Sequence, residues 1–210
     1  MAKPTTHVLM LIDESGSMTP LADDVRGGFN TYLDGLADDD ARYRVTVAKF
    51  SSDYTLMCTA TKIKDTPRLT SDNYRPQMLT ALLDGIGKII TDFETVNRQL
   101  ADGDRVILFI STDGHENQSR EYDLATVQKM IADRQATGVW SAVFVGAGPD
   151  TWQQAARLGI REGSTVSMAN TSEGYASTYM GLSKTTRLFS AGASADESVA
   201  ASGLTVGGQE

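Results

Sequence analysis

The stretch HVLMLIDESGS, residues 7–17, decides how this 210-residue chain is read. From His7 to Ile12 it is a compact apolar run, suited to a strand covered on both faces. At Asp13 it breaks into an extended turn. Residues spaced by two project to the same side of extended backbone, so Asp13, Ser15 and Ser17 can converge. Gly16 lets the chain bend tightly between the two hydroxyls.

Working outward, strand and helix patterns alternate. Behind a Thr19 cap with Pro20 at the first helical position, Leu21, Val25, Phe29, Tyr32, Leu33 and Leu36 form one apolar face. Tyr43 to Phe50 and Tyr54 to Ile63 read as a hairpin, which predicts one antiparallel edge strand. Leu79 to Val96 is a long amphipathic helix. Arg105 to Ile110 is a second buried strand, ending at Ser111-Thr112-Asp113-Gly114. A helix from about Tyr122 stops at Gly138, and a third strand, Val139 to Val145, precedes Gly146-Ala147-Gly148. Asp150 with Gln153 predicts a capping box, Thr165 to Met168 a short strand, and Ser172 a cap on the last helix. Met10, Met57, Met130 and Met180 are expected in the core. The pattern predicts an α/β fold, Rossmann-like and doubly wound, with a mostly parallel central sheet and helices on both faces. Residues 1–189 are expected to form one domain. Residues 190–210, rich in Gly, Ala and Ser, read as a tail too poor in large apolar groups to offset its ordering entropy.

With 27 acidic against 19 basic residues and a net charge of −8, the chain is a poor match for a nucleic-acid partner. No secretory or membrane-spanning segment is apparent, and the single Cys58 fits a reducing compartment, so a cytoplasmic location is expected, with a virion as the alternative.

In doubly wound sheets ligands bind beyond the carboxyl ends of the strands, and Asp13 and Asp113 both stand at such ends. Together with Ser15 and Ser17 they form a cluster of hard oxygen atoms, suited to Mg²⁺ or Mn²⁺. DESGS at 13–17, Thr80 near the start of a long helix, and STDG at 111–114 resemble the metal-ion-dependent adhesion site of von Willebrand factor A (vWA) domains. The likeness runs from Thr6 to about Phe189, and is greatest to small prokaryotic cytoplasmic members of the tellurium-resistance type. The resemblance implies one Mg²⁺, with Mn²⁺ or Ca²⁺ as alternatives. Ser15 and Ser17 would ligate it directly, Thr80 directly or through water, and Asp13 and Asp113 mainly through waters and hydrogen bonds. A protein partner would supply an Asp or Glu to an open coordination place. Glu14, His115 and Glu116 are candidate rim residues. The family places a glycine shortly before its threonine, where this chain has Pro76-Gln77-Met78-Leu79, which leaves Thr70 and Ser71 as alternatives to Thr80.

Two other functions compete with a binding module. A Mg²⁺-dependent phosphoryl hydrolase with Asp13 as nucleophile wants a second aspartate two residues on, where Ser15 stands. A structural or assembly component with a silent metal site is the other. Gly146-Ala147-Gly148 lacks the third glycine of a dinucleotide fingerprint, Thr151 standing there, and His115-Glu116 has no second histidine at zinc spacing.

Overall fold

A computed structural model describes residues 3–206. The strands are β1 (Thr5–Asp13), β2 (Arg42–Phe50), β3 (Tyr54–Thr61), β4 (Arg105–Thr112), β5 (Trp140–Ala147) and β6 (Thr165–Met168). They form one sheet in the order β3-β2-β1-β4-β5-β6. Every neighbouring pair is parallel except β2–β3, the expected hairpin. The helices are α1 (Ala22–Ala37), α2 (Leu82–Val96), α3 (Leu124–Gln135), α4 (Thr151–Arg157), α5 (Ser172–Ser190) and α6 (Ala195–Ala201). Among the described residues, no helix is long and apolar enough to cross a membrane.

β1 is buried along its whole length, and its alternation sorts the core. Val8, Met10 and Ile12 face the layer holding α1, α5 and α6, while Leu9 and Leu11 face α2, α3 and α4. Gly28 of α1 has no room for a side chain: a Cβ there would meet the Tyr179 ring at 2.3 Å, so α1 and α5 pack at close range. Because β1 and β4 are adjacent and parallel, with Ile12 opposite Ser111, the sequence leaving each strand emerges at the same edge.

Four local expectations are corrected. Thr19 caps nothing: a 3-10 turn over Gly16–Leu21 intervenes before α1, and the Thr19 hydroxyl donates to the Gly16 carbonyl. Asp150 precedes α4 without capping it, because its backbone is not extended and its carboxylate lies 3.5 Å from His115 Nε2. The cap of α5 is Thr171, one residue before Ser172. Met180 is exposed on α5.

The segment after residue 189 is also more ordered than its composition suggests. Ser194 and Glu197 form a reciprocal capping box on α6, Ala195 and Val199 are buried, and Leu204 packs on Gly181. Ser167 N then donates to the Thr205 carbonyl at 2.8 Å, and Val166 bridges Val206 in antiparallel sense. Small residues suffice here because the helix packs on a surface already built by α5, β5 and the turn at Glu162–Ser164, where Ser164 meets Asp196.

Candidate metal centre

Asp13 ends β1, and its carboxylate is fully buried. Oδ1 accepts the Ser15 N–H at 2.7 Å, and Oδ2 accepts the Thr112 hydroxyl at 2.5 Å. The first bond fixes the extended turn; the second ties β1 to β4. Ser15 and Ser17 come together as their spacing predicts, with Oγ atoms 3.1 Å apart, and Ser17 Oγ donates to Asp113 Oδ1 at 2.7 Å. Burial is the main reason the Asp13 carboxyl is pushed up to about 6. The donors from Thr112 and Ser15 oppose that rise, and the nearby Asp113 charge adds to it. A carboxylate so placed is short of positive charge.

Thr80 is buried at the same edge, two residues before α2, so it is not the helix cap. A Cβ built on Gly114 would lie 3.1 Å from Thr80 Oγ1 and 3.6 Å from Asp13 Oδ2, so both oxygens border the space the glycine leaves open. Backbone bonds hold the threonine there. Thr80 N donates to Asn117 Oδ1 at 2.9 Å, and Asn117 N donates to the Thr80 carbonyl at 3.0 Å. One turn earlier, Gly16 N donates to the Met78 carbonyl at 3.1 Å and Gln77 N to the Glu14 carbonyl at 2.8 Å. Met78 takes a φ of 70°. A methionine in the left-handed conformation thus stands two residues before Thr80, and Thr80 lies at the edge shared with Asp13 and Gly114. Thr70 and Ser71 are instead exposed, in a turn where Tyr74 N donates to the Thr70 carbonyl.

Two of the three candidate rim residues have their carboxylates engaged by neighbouring donors. Both Glu14 carboxylate oxygens accept from Lys49 Nζ at 2.8 Å, and one also accepts from Arg75 N. The Glu116 carboxylate accepts from Leu83 N, Gln118 N, Ser119 N and Ser119 Oγ, all within 2.9 Å. Each is saturated by its own scaffold. His115 is exposed at the rim, with Nε2 3.5 Å from the Asp150 carboxylate. Sequence reasoning assigned no role to Thr112, Asn117 or Tyr74, whose hydroxyl donates to the Asp13 carbonyl at 2.6 Å. Thr112 lies inside the STDG motif and could have been found there. Asn117 and Tyr74 carry no local signal.

The donor set fits a hard dication. Among the described residues no three His, Cys, Asp or Glu side chains converge as a metal cluster, so hydroxyls must supply what carboxylates do not. Octahedral Mg²⁺, at 2.0–2.1 Å from its ligands, places adjacent oxygens about 2.9 Å apart. The Ser15–Ser17 separation of 3.1 Å is close to that edge. Three neutral hydroxyls and two carboxylates roughly cancel the charge of one dication.

No protein-family model matches the chain, and no characterised protein sequence does either. Solved structures do. Proximal thread matrix protein 1 from the mussel byssus is 12% identical with a TM-score of 0.64, over 86% of this chain and 46% of that one. A second structure of it, with a zinc-occupied MIDAS motif, has a TM-score of 0.61 at 12% identity, over 85% and 47%. A von Willebrand factor type A protein from Catenulispora acidiphila is 16% identical with a TM-score of 0.56, over 89% of this chain and 43% of that one. The manganese-loaded TRAP protein of Plasmodium vivax is 13% identical with a TM-score of 0.55, over 80% and 70%. The chain spans under half the length of the mussel and Catenulispora proteins. With the sheet order, the single antiparallel edge and these neighbours together, the chain has the fold of von Willebrand factor A domains.

Proposed function

We propose that the chain is a divalent-cation-dependent protein-binding module that takes a carboxylate from its partner. The observation that carries this reading is the chain of contacts from Ser15 through Ser17 to Asp113, set beside the buried Asp13. Ser15 and Ser17 hold Mg²⁺ through their hydroxyls, with Mn²⁺ or Ca²⁺ as alternatives, and Thr80 faces the same space. Asp13 orients Ser15 through its backbone N–H and receives Thr112. Asp113 accepts a hydrogen bond from the Ser17 hydroxyl, so Ser17 Oγ is the acceptor in its contact with Ser15 and keeps one further lone pair for the ion. When bound, the ion supplies an electrophilic place that an anionic side chain can fill by exchanging with water. The zinc and manganese in two structural neighbours support a divalent ion, and the all-oxygen donor set favours Mg²⁺.

We propose a reducing compartment, the cytoplasm first and a virion second, on the free Cys58, and kinship to the small prokaryotic members of the tellurium-resistance type on the DESGS and STDG motifs.

The test has two stages. Calorimetry with Mg²⁺ on the wild type and on Ser15→Ala/Ser17→Ala should show binding only for the first. Capture of a partner in Mg²⁺ should then be lost in EDTA and lost in the same variant. A wild type that ignores Mg²⁺ ends the proposal. Mg²⁺-dependent phosphatase turnover, abolished by Asp13→Ala, would replace it with an enzyme.

A further inference from the structure

Met78 and Leu79 stand directly before Thr80, and both are exposed, to 63% and 50%. They form a small apolar patch facing water on a firmly held loop beside Thr80. This loop is held at every residue. The Met78 carbonyl accepts from Gly16 N at 3.1 Å, Leu79 N donates to Ser52 Oγ at 3.2 Å, and Thr80 N donates to Asn117 Oδ1 at 2.9 Å.

Met78 also sits at a φ of 70°, where a side chain strains the backbone and glycine does not. A glycine would keep the bond to Gly16 without that strain. The Met78 side chain therefore carries a backbone cost, and at 63% exposure it recovers little of it by burial inside the fold. A partner that covers it would recover more.

The rest of the rim indicates what that is. Glu14 and Glu116 are turned into the scaffold, so neither offers a free negative charge beside the ion's place. What is exposed directly before Thr80 in the chain is apolar surface, with His115 and Asp150 paired elsewhere on the rim. A partner matching both features carries an anion and, next to it, an apolar side chain.

We propose that Met78 and Leu79 form an apolar platform that selects carboxylate-bearing protein segments with a large apolar residue adjacent to the Asp or Glu. A charged neighbour would be stripped of water against Met78 without a partner, so the platform also rejects. This inference rests on the carboxylate-binding reading above.

The test titrates the isotope-labelled, Mg²⁺-saturated protein with two synthetic peptides, acetyl-Gly-Leu-Asp-Leu-Gly-amide and acetyl-Gly-Gly-Asp-Gly-Gly-amide. The wild type should bind the leucine-flanked peptide about fivefold to tenfold more tightly. In Met78→Gly/Leu79→Ser the preference should fall to near unity, with Mg²⁺ affinity kept. Metal-free Met78→Gly should melt no more than about 2 °C below the wild type, because strain is relieved. Should the double variant lose its fold, Met78→Gly alone carries the peptide comparison. Equal affinity of the wild type for both peptides, or an unchanged preference in the variant, overturns the platform and leaves the ion's role standing. If neither peptide binds in Mg²⁺, the carboxylate reading falls and the platform with it.

Discussion

Asp13 and Asp84 are both buried near Thr80, and both feel desolvation as the largest influence on their acidity, yet they end on opposite sides of the ordinary range. Asp84, in the first turn of α2, accepts backbone N–H bonds from Arg120, Glu121 and Tyr122 at 2.8–3.0 Å, and together these pull it down. Asp13 has one backbone N–H and one hydroxyl, with Asp113 nearby, and stays raised at about 6. Asp84 is held by three amides of the segment after β4, whereas Asp13, at the end of β1, is left short of donors. Under the proposed function, this contrast separates a carboxylate that builds the scaffold from one that would serve a cation.

The strongest way to break the comparison is Ser15→Ala with Ser17→Ala. It should lower Mg²⁺ affinity by about 100-fold or more, while circular dichroism stays native. A variant that keeps its Mg²⁺-induced rise in melting temperature would show that the hydroxyls are not ligands. Asp84→Ala should do the reverse. Three stranded amides should lower unfolding free energy by about 3 kcal/mol, read by urea titration, with little change in Mg²⁺ affinity per folded molecule.

Asp13→Asn tests the unmet charge directly. A carboxyl raised from 3.8 to about 6 favours the folded, metal-free protein below pH 4, and that contribution is lost as pH rises through about 6. The wild type should therefore lose about 2 kcal/mol relative to the asparagine variant between those limits without metal. Saturating Mg²⁺ at pH 7.5 (roughly neutral working conditions, well above that window) should reverse the order. Parallel pH profiles would remove the argument. Smallest is Asn117→Ala, which frees the Thr80 loop and should weaken Mg²⁺ about tenfold; unchanged calorimetry would make the clamp irrelevant to the site.

The fold was legible because the buried strands are short, apolar and closed by polar punctuation, and β1 alone shows it. The convergence of Asp13, Ser15 and Ser17 was legible too, since spacing by two in extended chain is local geometry. Asp113 followed from strand adjacency. Thr80 needed the family's pattern, because nothing local distinguishes it from a helix cap. What escaped was long-range. Asn117 reaches Thr80 across 37 residues and Tyr74 reaches Asp13 across 61, and neither partner is marked by its own neighbours. The misplaced caps failed differently: Thr19 fits the rule for a helix start, but the turn through Gly16–Leu21 delays the helix. Glu14 and Glu116 looked like rim charges because sequence shows an acid without showing its donors.

The antiparallel bridge between Val166 and Val206 has a consequence for how copies of the molecule behave in a crowded solution. β6 is only four residues long and has β5 on one side alone, so its outer amides are a template on which a foreign strand could grow. The segment at 205–206 occupies part of that template. At the far border, β3 is out of step with β2 where its register shifts, which twists it away from flat stacking. Both margins thus carry features that work against fibre-like growth, one a strip of its own chain and the other an irregular register.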